Sequence, residues 1–390
     1  MPVRLLVVDD EPDLQILIRQ RFRRQISASE YEFFFAANGL EALAALRERP
    51  EIDIILTDIN MPEMDGLTLL AELARLELTL KSIVISAYGD MENIRTAMNR
   101  GAFDFITKPI DFSDLGLTIE KTVRELGELR MGLQAREKLI TVQQELEIAA
   151  HIQQSILPKT FPPFPNRTEL EIFASMVPAR QVGGDFYDFF FIDSQHLAFM
   201  VGDVAGKGVP AAILMAVTRS LLKATALSGD APGTCLARVN HLLCQDNTSE
   251  LFVTVFYGML NTETGQVHYS NAGHNPPFYL KNGIAPLTLE NQGGLVLGVE
   301  ESAQYETAKL QLETGETLFL YTDGVTEAMN SARELFDETR LLERLHRSAH
   351  LPVETLVAKV TGDIGGFVRE NETHDDITML AVRFMGAVPI

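Results

Sequence analysis

Five short apolar runs alternate with amphipathic stretches over residues 1 to about 120, and this alternation constrains the fold more than any other feature of the chain. The runs are RLLVV, YEFFFA, DIILT, KSIVIS and DFIT; the stretches between them include LEALAALRER and MENIRTAMNR. Continuously apolar strands need cover on both faces, and helices between them give a parallel, doubly wound (βα)5 sheet. In such sheets ligands sit beyond the carboxyl ends of the strands. Polar residues collect there: Asp9 and Asp10 after the first run, Asp58 after the third, Ser86 after the fourth and Lys108 after the fifth. Converging carboxylates repel one another unless a cation joins them, and a small oxygen-lined site favours magnesium. A lysine and a hydroxyl at the same edge can grip an anion. A carboxylate beside magnesium with a cationic partner can accept a phosphoryl group.

The segments VVDDE, TDINMPEMDG, ISAYGD and FITKP closely resemble the receiver domain of two-component response regulators, with all five strand ends in order. The resemblance implies that a sensor histidine kinase phosphorylates Asp58. It implies that Asp10 and Asp58 hold Mg2+ together with the Asn60 carbonyl, with Asp9 assisting. Ser86 and Lys108 would contact the phosphoryl oxygens, and Phe105 matches the aromatic switch position.

From about 113 to 157 no proline interrupts the chain until Pro158. Leu115, Ile119, Val123, Leu126 and Leu133 follow helical spacing, as do Leu139, Val142, Leu146, Ala149 and Ile156. A helix of about 40 residues would extend about 60 Å and needs a partner surface, so a coiled coil and a homodimer are expected. The two sets are out of phase, which places a break near residues 134 to 138 and puts Arg130 and Glu137 on the first seam. LPKTFPPFP then ends the helix. The expected domains are a receiver over 1–120, a coiled-coil linker over 121–158 and a third domain over 159–390.

In this third domain HLAFMVGDV, FVTVFYGML, QVHYSNAG, PPFYL, ETLFLYTDG and ITMLAVRF read as strands. VPAAILMAVTRSLLKATAL and APGTCLARVNHLLCQ read as helices, the second with Asp230 as N-cap. Turns such as NTETGQ and KNG favour antiparallel sheets with helices outside, an α+β sandwich. GDVAGKG approaches a phosphate-binding P-loop, but its glycine spacing is one residue short and Gly208 stands where Ser or Thr belongs. GGDF lacks the Glu of a diguanylate cyclase signature. Instead Asp185 (VGGDFYDF), Asp203 (VGDVAGKG), Asp323 (LYTDGVTEA) and Asp375-Asp376 (HDDITML) gather acids beside strand ends and glycines. Such an oxygen-rich set suits magnesium or manganese better than zinc. It holds more charge than one divalent ion neutralises, and two metals about 3.5–4 Å apart would activate water for attack on phosphorus.

GGDFYDF, GDVAGKG, NAGHNPP, YTDGVTEA and DDIT, in this order across about 200 residues, resemble the metal-dependent protein phosphatases of type 2C (PPM family), in the bacterial sporulation stage II E and stress-response branch. ELEIAAHIQQSILP matches the helix that usually leads into that domain. The resemblance implies two Mn2+ or Mg2+ ions bridged by Asp203. Asp185 and the Val204 carbonyl would bind one of them, and Asp323 and Asp375 the other. Asp376 is the second choice for the last ligand, because relatives often carry an amide there. A bridging hydroxide would then attack a phosphoserine or phosphothreonine. Arg180 lies near the place of the broader family's phosphate-binding arginine but out of register. His274 is expected only to brace a turn, and Lys207 only to sit at the start of a helix.

The net charge of −21 disfavours nucleic acid as a partner. No export signal or run of 18 apolar residues is visible, so no membrane partner and a cytoplasmic location are expected. Cys235 and Cys244 suit neither a zinc site nor a redox pair. The expected function is a response regulator in which phosphorylation of Asp58 controls a Ser/Thr phosphatase. Its substrate by resemblance is a phosphorylated anti-sigma factor antagonist of the STAS type. The alternative is a catalytically silent binding module of the same pathway.

Overall fold

A computed structural model describes residues 2–76, 79–87, 90–246, 251–281, 283–289, 294–369 and 375–386. Tyr88 and Gly89 of ISAYGD, Asn282 of the KNG turn and His374 of HDDITML lie outside these residues. The chain forms two compact units, 1–141 and 142–390.

The first unit runs β1 (Val3–Val8), α1 (Pro12–Arg21), α2 (Arg23–Ser27), β2 (Tyr31–Ala36), α3 (Gly39–Glu48), β3 (Ile54–Asp58), α4 (Gly66–Arg75), β4 (Lys81–Ala87), α5 (Met91–Asn99) and β5 (Asp104–Lys108), followed by α6 (Phe112–Ile156). The strands form one parallel sheet in the order β2-β1-β3-β4-β5. Alternation along β1 shows why both faces must be covered. Leu5 and Val7 bury against Leu14 and Ile18 of α1, while Leu6 and Val8 bury against Ala42 and Leu46 of α3. Side-chain caps start the helices at the sheet's functional edge: Asn38 accepts from Glu41 N at 2.9 Å and Asp65 from Thr68 N at 2.6 Å.

Helix α6 differs from expectation in two ways. Leu115, Ile119 and Leu126 are buried, and the first two belong to the apolar core of the unit's own sheet, so they form no coiled-coil seam. Arg130 forms an ion pair with the buried Asp53 at 2.5 Å instead of facing a second helix. The helix also passes 134–138 without a break. Every residue from 128 to 145 is exposed, including Leu129, Met131, Leu133, Leu139 and Val142.

The second unit adds β6 (Leu170–Val177), β7 (Phe186–Phe191), β8 (His196–Val204), α7 (Val209–Ala226), α8 (Pro232–Asp246), β9 (Val253–Asn261), β10 (Gln266–Ala272), β11 (Phe278–Leu280), β12 (Leu287–Thr288), β13 (Ala308–Gln311), β14 (Thr317–Tyr321), α9 (Asp323–Thr326), α10 (Asp337–Ser348), α11 (Val353–Val368) and β15 (Ile377–Phe384). Two antiparallel sheets form, β13-β10-β9-β8-β7 and β12-β11-β14-β15-β6. Phe199, Val201 and Phe256 of the first share one core with Leu318, Leu320 and Leu380 of the second, and Met215, Leu222 and Val239 of α7 and α8 join it. Helices α10 and α11 cover the other sheet through Leu341, Leu345, Leu356 and Val360. The layers are therefore helix, sheet, sheet, helix. Helix α8 begins at Pro232, so Asp230 lies too far back to cap it and pairs with Arg238.

Among the described residues one helix, α7, is long and apolar enough to cross a membrane by length and composition, with 18 residues and mean hydropathy 1.3. Its polar residues explain why it lies on a sheet. Arg219 reaches the fully buried Asp188 of β7 at 2.7 Å, with Lys223 at 3.8 Å. Removing the nearer cation strands a carboxylate in the core. Arg219→Ala is expected to lower unfolding stability by about 3 kcal/mol in urea titrations; an unchanged midpoint would show that the pair does not hold α7 to β7.

Candidate metal and phosphoryl sites

At the carboxyl edge of the parallel sheet, Asp9, Asp10 and Asp58 each place a carboxylate oxygen within 4.8 Å of the others. Lys108 Nζ stands 2.9 Å from Asp58, 3.3 Å from Asp9 and 3.1 Å from Glu11. Those carboxylates raise the lysine's pKa against the opposing effect of its partial burial. Burial raises the Asp9 carboxyl. Ser86 Oγ is buried without a hydrogen-bond partner among the described residues, a position that suits an incoming oxygen. Asn60 is exposed just beyond Asp58, and Phe105 is 38% exposed on β5. Asp9, Asp10, Asp58 and Lys108 are therefore brought together, Ser86 lies near the end of β4, and Glu11 is an additional contact. The oxygen-only donor set fits a magnesium ion held by Asp9, Asp10 and Asp58.

In the second unit the acids come from four places. Asp203 lies near the end of β8, Asp323 begins α9 after β14, Asp375 and Asp376 precede β15, and Asp185 precedes β7. Asp185 is buried, and Thr322 Oγ1 donates to its Oδ2 at 2.7 Å while accepting from Thr378 N at 3.0 Å. Burial and the Asp203 charge raise its pKa well above the ordinary carboxylate range. Burial and the Asp323 charge push Asp203 up to about 7. Burial and Glu327 raise Asp323. A Cβ at Gly184 would stand 2.9 Å from the Val204 carbonyl oxygen and 3.5 Å from Asp203 Oδ1, so a side chain there would fill the space both oxygens face. Like charges crowded around an oxygen-lined space fit divalent cations held by Asp185, Asp203, Val204 and Asp323.

The adjacent acids 375 and 376 part company. Asp376 accepts from Ala179 N at 2.8 Å with one carboxylate oxygen, and from Gly184 N at 2.7 Å and Asp185 N at 3.3 Å with the other. Its carboxylate is thus committed to the backbone. Asp375 is partly exposed, and its Oδ2 pairs with Lys207 Nζ at 2.7 Å. This corrects the expectation that Lys207 only starts a helix. Gln153 of α6 is a further residue that the motifs did not single out. Its amide donates to Gly183 O at 2.6 Å and accepts from Gly183 N at 3.0 Å, one residue before the Gly184 cradle. Arg180 is exposed and makes no ion pair among the described residues. His274 is buried, its Nδ1 is 2.8 Å from Thr254 Oγ1, and burial pushes its imidazole down to about 4. His346 and His350 are both exposed.

The raised carboxyls set a pH dependence. The ordinary Asp value is 3.8 and the folded, metal-free value of Asp203 is about 7. Between these values the folded state keeps a proton that the unfolded chain has lost. This contribution is present in full below pH 4 and is lost as pH rises through 7. Chelated protein should therefore lose up to about 4 kcal/mol over this range relative to Asp203→Asn. Urea unfolding at pH 4 and pH 8 in EDTA measures the difference; parallel pH dependences of the two proteins would contradict it.

Comparison with known proteins agrees with both halves. Residues 5–120 match the response regulator receiver domain family and 193–385 match the stage II sporulation protein E (SpoIIE) family. The chain is 31% identical over 260 residues to phosphoserine phosphatase RsbU of Bacillus subtilis, covering 65% of this chain and 75% of RsbU. It is 33% identical over 270 residues to protein IcfG of Synechocystis sp., covering 61% of this chain and 41% of IcfG's length. The SiaA-PP2C domain of Pseudomonas aeruginosa superposes with a TM-score of 0.57 at 22% identity, over 63% of this chain and 98% of that domain, and so shares the fold. The chain belongs to the SpoIIE-type family of PP2C phosphatases, here joined to a response regulator receiver domain.

Proposed function

We propose that this chain is a phosphorylation-controlled serine/threonine protein phosphatase. In this reading the receiver is 1–120, the linker 121–158 and the phosphatase 159–390. A sensor histidine kinase phosphorylates Asp58, and the phosphatase acts on a phosphorylated anti-sigma factor antagonist. The observation that carries the reading is the cradle formed by the buried Asp185 and Val204 with the partly buried Asp203 and Asp323, at the ends of strands and the start of α9.

Each residue has a stated task. Asp203 interacts with both Asp185 and Asp323, and would hold both cations. Asp185, oriented by Thr322, serves one of them with Val204. Asp323 and Asp375 serve the other, because Asp376 is occupied by the Ala179 and Gly184 amides. When bound, two Mn2+ or Mg2+ ions would supply the charge that makes water a nucleophile toward a phosphate ester. In the receiver, Asp9, Asp10 and Asp58, with the Asn60 carbonyl, hold Mg2+. Ser86 and Lys108 grip the phosphoryl oxygens, and Phe105 changes its exposure.

Control passes along α6. Residues 128 to 145 carry exposed Leu129, Leu133, Leu139 and Val142, which a second copy of this chain would cover in a homodimer. Farther along the helix, Gln153 holds the Gly183 backbone through both of its amide groups. Rotating or shifting α6 would move Gly183, and with it Gly184 and Asp185.

Hydrolysis of an aryl phosphate in Mn2+ tests the enzyme reading. Asp203→Asn should lose at least about 100-fold in kcat/KM, because removing even an indirect support of a metal costs 10–100-fold. Asp58→Asn should keep basal turnover. Absence of turnover by the unsubstituted protein with any divalent cation would favour the silent binding module instead.

A further inference from the structure

The phosphatase site gathers five carboxylates, at positions 185, 203, 323, 375 and 376, yet the group it must admit is itself a dianion. Even two divalent cations leave the acids and metals formally negative before the substrate enters. A protein cation at the mouth of the site would relieve this. Among the described residues Arg180, which is exposed, pairs with none of these acids. Lys207 pairs with one, its Nζ 2.7 Å from Asp375 Oδ2.

Backbone geometry holds the lysine there. Gly206 and Gly208 flank it with φ of +94° and +81°, a left-handed region that side chains other than glycine rarely adopt. The lysine thus sits in the short segment between β8, which carries Asp203, and α7, which starts at Val209. Side-chain exposures of 38% for Lys207 and 33% for Asp375 leave the pair open to a ligand from solvent.

We infer, on the reading proposed above, that Lys207 is a substrate-contacting residue whose ammonium binds the oxygens of the phosphoryl group. Asp375 holds the ammonium at the mouth. When Asp375 turns toward a cation, the lysine exchanges one carboxylate oxygen for the phosphoryl oxygens and keeps its position beside the cradle. A lysine that merely tied the 205–208 loop to Asp375 would instead influence the loop and the metals and leave phosphate recognition alone.

Calorimetric titration of inorganic phosphate into the full chain at saturating Mn2+ separates the two roles, with aryl phosphate kinetics alongside. Lys207→Ala should weaken phosphate binding and raise KM by about 10-fold or more, the loss of a charge-assisted hydrogen bond. Lys207→Arg should recover most of that loss. Weakening of less than about 3-fold in phosphate affinity, with or without weaker Mn2+ binding, would overturn the inference. If circular dichroism shows Lys207→Ala unfolded, Lys207→Met and Lys207→Arg supply the same comparison. Failure of the unsubstituted protein to turn over would overturn the phosphatase reading itself, which is a distinguishable result.

Discussion

The carboxylate of Asp376 holds the phosphatase site together. Buried just before β15, it accepts N–H groups from Ala179, Gly184 and Asp185 on the loop between β6 and β7. A buried charge is costly unless hydrogen bonds compensate it, and three backbone donors do so here. The contact also explains Gly183, where a Cβ would lie 2.2 Å from the Asp376 oxygen. With the loop pinned, Asp185 meets Thr322 on one side, and the Gly183 backbone meets Gln153 on the other. One acid thus fixes both the cradle and the point where α6 touches it.

The two acid sets solve like-charge crowding differently. At the receiver edge Lys108 is shared by Asp58, Asp9 and Glu11, so a protein cation already stands where a phosphoryl group would arrive. In the phosphatase Asp185 is buried and Asp203 partly so, and among the described residues the lysine that reaches the acid set pairs with the outer acid, Asp375. Burial then raises the inner carboxyls, and metal-free protein bears that cost as pH rises. In the proposed reading, stability and metal binding are therefore expressed through the same residues.

Much of this was legible in the sequence because strand-end acids sit beside continuous apolar runs. VVDD, LTD and VGDV each terminate a buried strand, and β8 spans the same residues as the run HLAFMVGDV. Elements with mixed local signals were harder to read. Helix α11 carries Gly362, Gly365 and Gly366 inside it, with open space where their Cβ atoms would be, so its apolar face and poor helix propensity point in opposite directions. Periodicity showed that Leu115 and Ile119 lie on one face of α6. It could not show that the receiver's own sheet, not a second helix, covers that face. Neighbouring acids pose a similar limit: nothing in DD distinguishes Asp376, turned toward backbone amides, from Asp375, turned toward Lys207. Gln153 and Thr322 went unmarked because neutral side chains gain their roles only from the partners that folding supplies.

The proposed route from Asp58 through α6 to the Gly183–Asp185 loop makes metal affinity depend on receiver state. Calorimetric Mn2+ titration of the full chain with and without beryllofluoride measures this, with Asp58→Asn as the control for receiver-bound metal. The proposed coupling predicts that beryllofluoride changes Mn2+ affinity at the phosphatase cradle in the unsubstituted protein, and that Gln153→Ala abolishes the change. Equal affinities in both receiver states would contradict it.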